Sequence, residues 1–527
     1  MKKNKLIILS ITLMICLQNH AQISEEWVSL YTYEEGTPER PNDMVVDEQG
    51  NIYICGWTSL AGNFDFIAIK YNPLGELLWS TGILDGINEA QAICLDDAGN
   101  VYITARSNQN LGDFVALKFN TDGVLLWTQH YDNNSVDGGY DIGIGANGMV
   151  YAVGYSDSDI ITMQYNPEGE LQWTATFNGP EGALDIGKSL VLDQSSNVYI
   201  TGYSTNVEGV GSNRDITTIK YNSEGVEQWV NLYDGGGNTA DEGYEIALDE
   251  QDNVYVLGYS NDESYHSQWT TIKYTSDGNE EWVNKHYNPE TLGGSPKAIA
   301  VHDSQNIYVT GSIGLGITTA KINNTGDTIW TRNYNDIHAD QCGSDIITDD
   351  DGNVYLTGWV RDEVGMWTRD YGTLKYSPSG ALLWDIWYAG YGEDRDDALK
   401  ICLDHENNVI ITGETDSGPS SYDIGTIKYS QSTSVKELNQ SIAFIIYPNP
   451  THGKIQITNS NTQINSKSQN SISKLEVVDI YGKVAECFNP YPVTRNPQLD
   501  ISHFPTGIYF IRISLENQII VKKIIKM

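Results

Sequence analysis

Two sets of side chains recur where they could do chemistry. The first is acidic. The position leading into the first strand of each internal repeat holds Glu39, Asn88, Asp137, Asp185, Asp241, Gly294, Gln341 or Asp396, and the third strand opens on Asp65, Asp113, Asp159, Asp215, Asp370 or Asp423. A crown of carboxylates, with Asp137, Asp185, Asp241 and Asp396 foremost, supplies the oxygen ligands that Ca2+ or a basic partner takes. An aspartate at a loop end also caps that loop by accepting backbone N–H bonds, and recurrence once per repeat favours capping. The second set is aromatic: the phrase G-[YW]-[ST] ends the second strand with Trp57, Tyr155, Tyr203, Tyr259 and Trp359, while Arg106, Ser312 and Glu414 replace the ring elsewhere. Such rings near a channel mouth stack on sugars while hydroxyls and carboxylates take the sugar hydroxyl groups. Packing between neighbouring repeats is the competing role.

Catalytic signals are missing. The nine histidines stand in no H-E-x-x-H or other metal spacing, and no G-x-S-x-G occurs. Of the six cysteines, Cys94 and Cys402 share one repeat position (AICLD and KICLD) and read as small core residues. No catalytic residue is therefore assigned. Paired carboxylates for glycoside hydrolysis depend on separation in space, which a sequence does not show.

The elements that must position these residues follow from a repeat. Trp27, Trp79, Trp127, Trp173, Trp229, Trp282, Trp330 and Trp384 fall into register when the chain is laid against itself. Between them lie four short runs rich in Val, Ile, Tyr, Phe and Thr, which are strand residues. D-x-x-G-N (Asp47 to Asn51) separates the first two runs and N-x-x-G (Asn72 to Gly75) the last two, giving hairpins that need Gly or Asn at positive φ. Four antiparallel strands per unit make the blade of a β-propeller. One tryptophan strand precedes the first unit and none follows the last, so the strand of Trp27 is expected to complete the eighth blade; seven blades plus a stray unit is the alternative. The hairpins are uniform and the loops on the other face vary, so ligands are expected on the variable face. Lys70, Lys118, Lys220, Lys273, Lys375 and Lys428 recur beside the third-strand tyrosine and read as structural.

The phrase D-x-x-G-N-V-Y-I-T-G-Y-[ST] resembles the SBBP-type bacterial β-propeller repeat and, more distantly, the NHL-type repeat. That implies an all-β propeller fold and no particular activity, because propellers host many. The G-x-x-x-W ending (Gly75 to Trp79) also resembles the docking motif of pyrroloquinoline-quinone propellers, where the Trp caps one blade against the next. Those enzymes need vicinal cysteines, which this chain lacks.

Residues 1–21 carry a Lys-rich start, an apolar run of twelve residues from Leu6 to Leu17, and a small residue at Ala21. That is the layout of a signal peptide cleaved after Ala21, and no later run is apolar enough to span a bilayer. The chain holds 31 Lys+Arg against 70 Asp+Glu, which excludes nucleic-acid binding. Charge is uneven: from Ser441 onward nine basic and five acidic residues give +4, while residues 22–440 hold 19 basic and 65 acidic residues, or −46. The sign change marks a boundary, giving a propeller at 22–430, a linker at 431–442 and a small β-sandwich at 443–527. In the last, Pro448-Asn449-Pro450 with Gly453, Tyr481-Gly482, Gly507-Ile508-Tyr509 and the basic Lys522, Lys523 and Lys526 resemble the type A C-terminal sorting domain of the Bacteroidetes type IX secretion system. The resemblance implies that machinery and its sortase as partners, and surface attachment or release after the domain is removed.

Together these features lead to an exported propeller that binds a glycan, a protein or a cation through its variable face. A glycan lyase or hydrolase with carboxylates across the channel is the rival, and a structural surface component is the third reading.

Overall fold

The computed structural model describes residues 22–34, 36–60, 63–82, 86–107, 112–180, 182–206, 213–236, 239–262, 266–286, 293–334, 341–361, 368–390, 395–418 and 421–432 of the propeller, and 444–447, 454–459, 472–478, 484–488, 498–515 and 518–526 beyond it. Eight four-stranded antiparallel sheets form the propeller. Seven run in chain order, at 39–82, 87–131, 137–177, 186–233, 242–286, 294–334 and 342–388 (blades 1 to 7). Blade 8 takes three strands from 397–432 and its outer strand from Gln22–Tyr31, which pairs with Ser421–Ser432. The ring thus has eight blades closed by the N-terminal strand, which removes exposed edges.

Each recurring residue has a local job. In D-x-x-G-N, Asp96 Oδ1 accepts the N–H groups of Ala98 and Asn100, while Oδ2 takes Asn100 Nδ2 and Tyr102 OH. The tryptophans clasp blade to blade. Trp173 of blade 3 lies on Gly225 of blade 4, whose φ is +79° and where a Cβ would sit 2.6 Å from the indole. Its Nε1 donates to Ser223 O at 3.1 Å. Trp27, Trp79, Trp127, Trp229, Trp282 and Trp330 repeat the clasp on Pro73, Thr121, Pro167, Ser276, Asn324 and Pro378. The third-strand lysines join them: Lys70, Lys118 and Lys220 donate to the same carbonyls as the indoles.

The second compact unit begins after Ser434. It has a three-stranded sheet (Phe444–Tyr447, Lys454–Asn459, Gln498–Asp500) and a four-stranded one (Val484–Phe488, Ile472–Val478, Gly507–Leu515, Gln518–Lys526). Gly507 and Tyr509 lie in one edge-to-edge pair with the strand that carries Lys522 and Lys523. Pro448, Asn449, Pro450, Gly453, Tyr481 and Gly482 fall outside the described residues, as do residues 1–21. Among the described residues no helix is long and apolar enough to cross a membrane.

Candidate functional site: the channel and its variable-loop mouth

The first strand of each blade lines the channel. At the mouth, the residue after the acidic position pairs in register with the aromatic one: Arg40 with Trp57, Glu89 with Arg106, Gly138 with Tyr155, Ile186 with Tyr203, Glu242 with Tyr259, Cys342 with Trp359 and Asp397 with Glu414. Just beyond this layer the first strand bulges, and Gly56, Gly154, Gly202, Gly258, Gly358 and Gly413 face it across the pair. A Cβ on any of them would collide with the facing carbonyl oxygen. That crossing is why glycine precedes the aromatic residue.

The aromatic residues lie in the seams, stacked on neighbours. Tyr155 is 7% exposed and Tyr203 4%, so neither offers a free face to a sugar. Tyr155 packs on Tyr140 at 6.1 Å and accepts Arg106 Nη2 at 2.6 Å. Tyr203 carries the Arg214 guanidinium at 4.4 Å and the Lys188 ammonium at 5.2 Å. Tyr259 rests on Tyr244, Trp57 on Phe64, and Trp359 holds Arg369 over its ring at 3.9 Å. The mouth therefore presents the cations that the rings support.

These cations are bridged by few carboxylates. Arg395 and Arg369 both reach Asp397, at 2.5 Å and 3.1 Å, while Arg395 and Arg40 reach Glu414 at 3.4 Å each. Three guanidinium groups thus share two buried carboxylates. In the seam of blades 4 and 5, Lys188 and Arg214 share Glu242. Burial works against its charge, yet the two cations hold its carboxyl below the usual range.

Deeper in the channel runs a ring that sequence reading missed. At the bulge, odd blades carry Asp43, Asp141, Glu245 and Asp345; even blades carry Ala92, Ser189, Ala298 and Lys400. Each carboxylate accepts a backbone N–H of the following blade: Ile93 at 3.0 Å, Leu190 at 2.8 Å, Ile299 at 2.6 Å and Ile401 at 2.9 Å. Lys400 Nζ lies 3.3 Å from Asp43, and Asp43, Asp345 and Glu245 raise its pKa despite burial. Burial, reinforced by Asp345, pushes Glu245 up to about 8, and burial pushes Asp141 up to about 6.

The predicted acidic crown is a set of clamps. Asp185 accepts Gly179 N and Thr205 N, Asp241 accepts Gly235 N and Asn261 N, and Asp396 accepts Gly390 N and Asp416 N. Asp137 takes Asn133 N and Ser135 Oγ. Each ties the end of one blade to the second strand or loop beside it, and capping accounts for their recurrence. Among the described residues one acidic set converges: Asp215, Asp234 and Asp241, with one oxygen of each within 4.8 Å of the others. Asp234 was not singled out in the sequence, since it follows an outer strand and meets the others only through the seam. On the opposite face, where Gly145 of blade 3 replaces the hairpin aspartate, a shallow cavity of about 570 Å³ opens between Asp96, Gly148 and Asp193.

Residues 445–527 match the secretion system C-terminal sorting domain, and residues 172–207 and 228–266 match the SBBP beta-propeller repeat. An uncharacterized WD repeat-containing protein of Acanthamoeba polyphaga mimivirus is 23% identical over 503 residues, covering 73% of this chain and 34% of that protein. The chain thus spans about a third of the length of that relative. Among solved structures, a protein of unknown function from Bacteroides caccae is 13% identical, over 48% of this chain and 84% of that one, with a TM-score of 0.32. Another, from Dyadobacter fermentans, is 9% identical over 78% of this chain and 99% of that one, with a TM-score of 0.36.

Proposed function

We propose that this protein, a propeller of SBBP-type repeats ending in a secretion-system C-terminal sorting domain, is exported to bind an acidic glycan at the variable-loop mouth of its channel. The sorting domain sends the propeller through the type IX secretion machinery to the cell surface or the extracellular space. In this reading residues 1–21 leave as a signal peptide and the sortase removes the sorting domain. One observation supports the ligand class. In a propeller with 18 basic residues against 64 acidic ones, Arg40, Arg106, Arg214, Arg361, Arg369 and Arg395 all stand at strand ends on one face, and Arg332 alone lies elsewhere. Guanidinium groups such as those of Arg40, Arg369 and Arg395, three sharing two carboxylates, suit the bidentate capture of carboxylate or sulfate groups on a sugar chain.

Titration of the exported protein with uronate-containing and neutral oligosaccharides tests this. Binding is expected to favour the acidic chains and weaken with salt. It should fall at least tenfold in R369Q/R395Q, and also in R106Q, which strands no carboxylate because Arg106 bonds neutral Tyr155. Equal affinity for neutral chains, or unchanged binding in both variants, would sink the reading. Glycan cleavage is the second reading, favoured by Glu245 keeping its proton near neutral pH through burial and the charge of Asp345. New reducing ends in the same titration mixtures, lost in E245Q, would select it.

A further inference from the structure

The geometry points to a calcium-type cation site in the seam of blades 4 and 5, with Asp215, Asp234 and Asp241 as its ligands. The inference stands apart from the glycan reading. Three segments meet there. Asp215 is the second residue of the strand Arg214–Tyr221, Asp234 follows the outer strand Glu227–Tyr233, and Asp241 precedes the first strand of blade 5, Glu242–Leu248. Backbone bonds fix them: Asp241 N donates to Arg214 O at 2.7 Å, and Gly235 N and Asn261 N hold the Asp241 carboxylate at 2.7 Å and 2.9 Å. The Asp241 carboxylate is therefore placed before any ion arrives, which lowers the reorganisation that binding costs.

A buried oxygen without a partner points to a ligand. Asp215 is 5% exposed; its Oδ2 accepts Asn206 Nδ2, while its Oδ1 is buried with no hydrogen-bond donor. Asp113 and Asp423, its counterparts in two other seams, also keep an unpartnered Oδ1. There the outer strand brings a donor to the other oxygen: His130 Nδ1 at 3.3 Å for Asp113 and Thr32 Oγ1 at 2.7 Å for Asp423. In the seam of blades 4 and 5, the residue at the position of Thr32 is Asp234, and here, alone among the described residues, its carboxylate converges with two others. The nearby Arg214 guanidinium is turned to Glu242 and the Tyr203 ring. Like charges this close repel strongly unless a cation enters between them.

Donor chemistry selects the ion. Three carboxylates with neither thiolate nor imidazole suit a hard cation, and a site open on the side of exposed Asp234 leaves room for the waters that complete calcium's six to eight ligands. Extracellular calcium is abundant, so a dissociation constant of roughly 10⁻⁴–10⁻³ M would suffice to fill the site on an exported protein. A bound ion would pin the outer strand of blade 4 to the first strand of blade 5 on the variable-loop face.

The test uses the exported protein stripped with EDTA, with thermal melting and Tb3+ luminescence as readouts. Ca2+ is expected to raise the melting temperature saturably, and Mg2+ much less. D234N keeps an exposed, polar side chain and should fold normally, yet lose at least tenfold in Ca2+ affinity and its Tb3+ signal. D185N, in the neighbouring seam, should keep both. Absence of saturable Ca2+ binding, or binding unchanged in D234N, would overturn the site; equal response to Mg2+ would overturn its calcium character.

Discussion

Asp249 shows what a single recurring side chain contributes. It is 7% exposed and accepts four bonds: Gln251 N at 2.9 Å, Asn253 N at 3.0 Å, and Asn253 Nδ2 and Tyr255 OH at 2.9 Å each. Removing a buried acceptor strands its donors, so Asp249→Ala is expected to cost about 2–4 kcal/mol in chemical denaturation. Asp249→Asn keeps one acceptor oxygen and should cost about half as much. A cost under 0.5 kcal/mol for the alanine variant would mean that water replaces the carboxylate freely. These residues were legible because hairpin chemistry is local: the carboxylate, its N–H donors and its Tyr lie within six residues. The cations on the aromatic rings were not, because Arg214 reaches Tyr203 only once a long loop has closed, and Lys188 only across the sheet. For the same reason the sugar-stacking role expected of Tyr155 and Tyr203 gives way to packing.

Elements succeed or fail at the seams. Trp384 of blade 7 faces blade 8, whose outer strand comes from the N-terminus, so no tight hairpin of the usual kind connects its third and outer strands. Its Nε1 is buried without an acceptor, whereas Trp229 Nε1 donates to Ser276 O at 3.1 Å. Lys375 compensates in part by donating to Gln431 Oε1 at 2.9 Å. Trp→Phe substitution removes the N–H together with a similar apolar area at both sites, so Trp229→Phe should cost about 1 kcal/mol more than Trp384→Phe. Thermal unfolding of the two variants decides it; equal losses would mean that the indole N–H contributes nothing to the clasp. The eight-bladed ring and its N-terminal closure were readable because a displaced tryptophan strand is a matter of counting. The missing clasp at blade 8 follows from the same displacement, yet its consequence for Trp384 needed the seam geometry.

Across the whole molecule the channel imposes a two-blade period. Eight carboxylates in one layer would repel one another, and Ala92, Ser189 and Ala298 keep the number at four while Lys400 supplies a counter-charge. Comparing repeats one by one averages this alternation away, which is why the ring was not legible in the sequence. It has a pH signature. Glu245, whose carboxyl rises from 4.5 to about 8 through burial and the charge of Asp345, holds a proton in the fold that the unfolded chain has lost. Where the folded state binds more protons, stability falls as pH rises. The Glu245 contribution is therefore complete below about 4.5 and gone once pH passes about 8; Asp141 behaves alike from 3.8 to about 6. Lys400, raised above 10.5, keeps its contribution throughout that window and loses it only at higher pH. Urea denaturation at pH 6 and pH 8 should then show the Glu245 contribution falling by at most about 2.7 kcal/mol over those two units, less where channel water screens the ring, with Glu39, pushed up to about 7 by burial, adding a smaller loss of its own. Glu245→Gln still offers Ile299 N an acceptor but cannot titrate, so its midpoint should change far less and exceed that of the wild type at pH 8. A variant that kept the full wild-type slope would move the source of the pH dependence away from the channel.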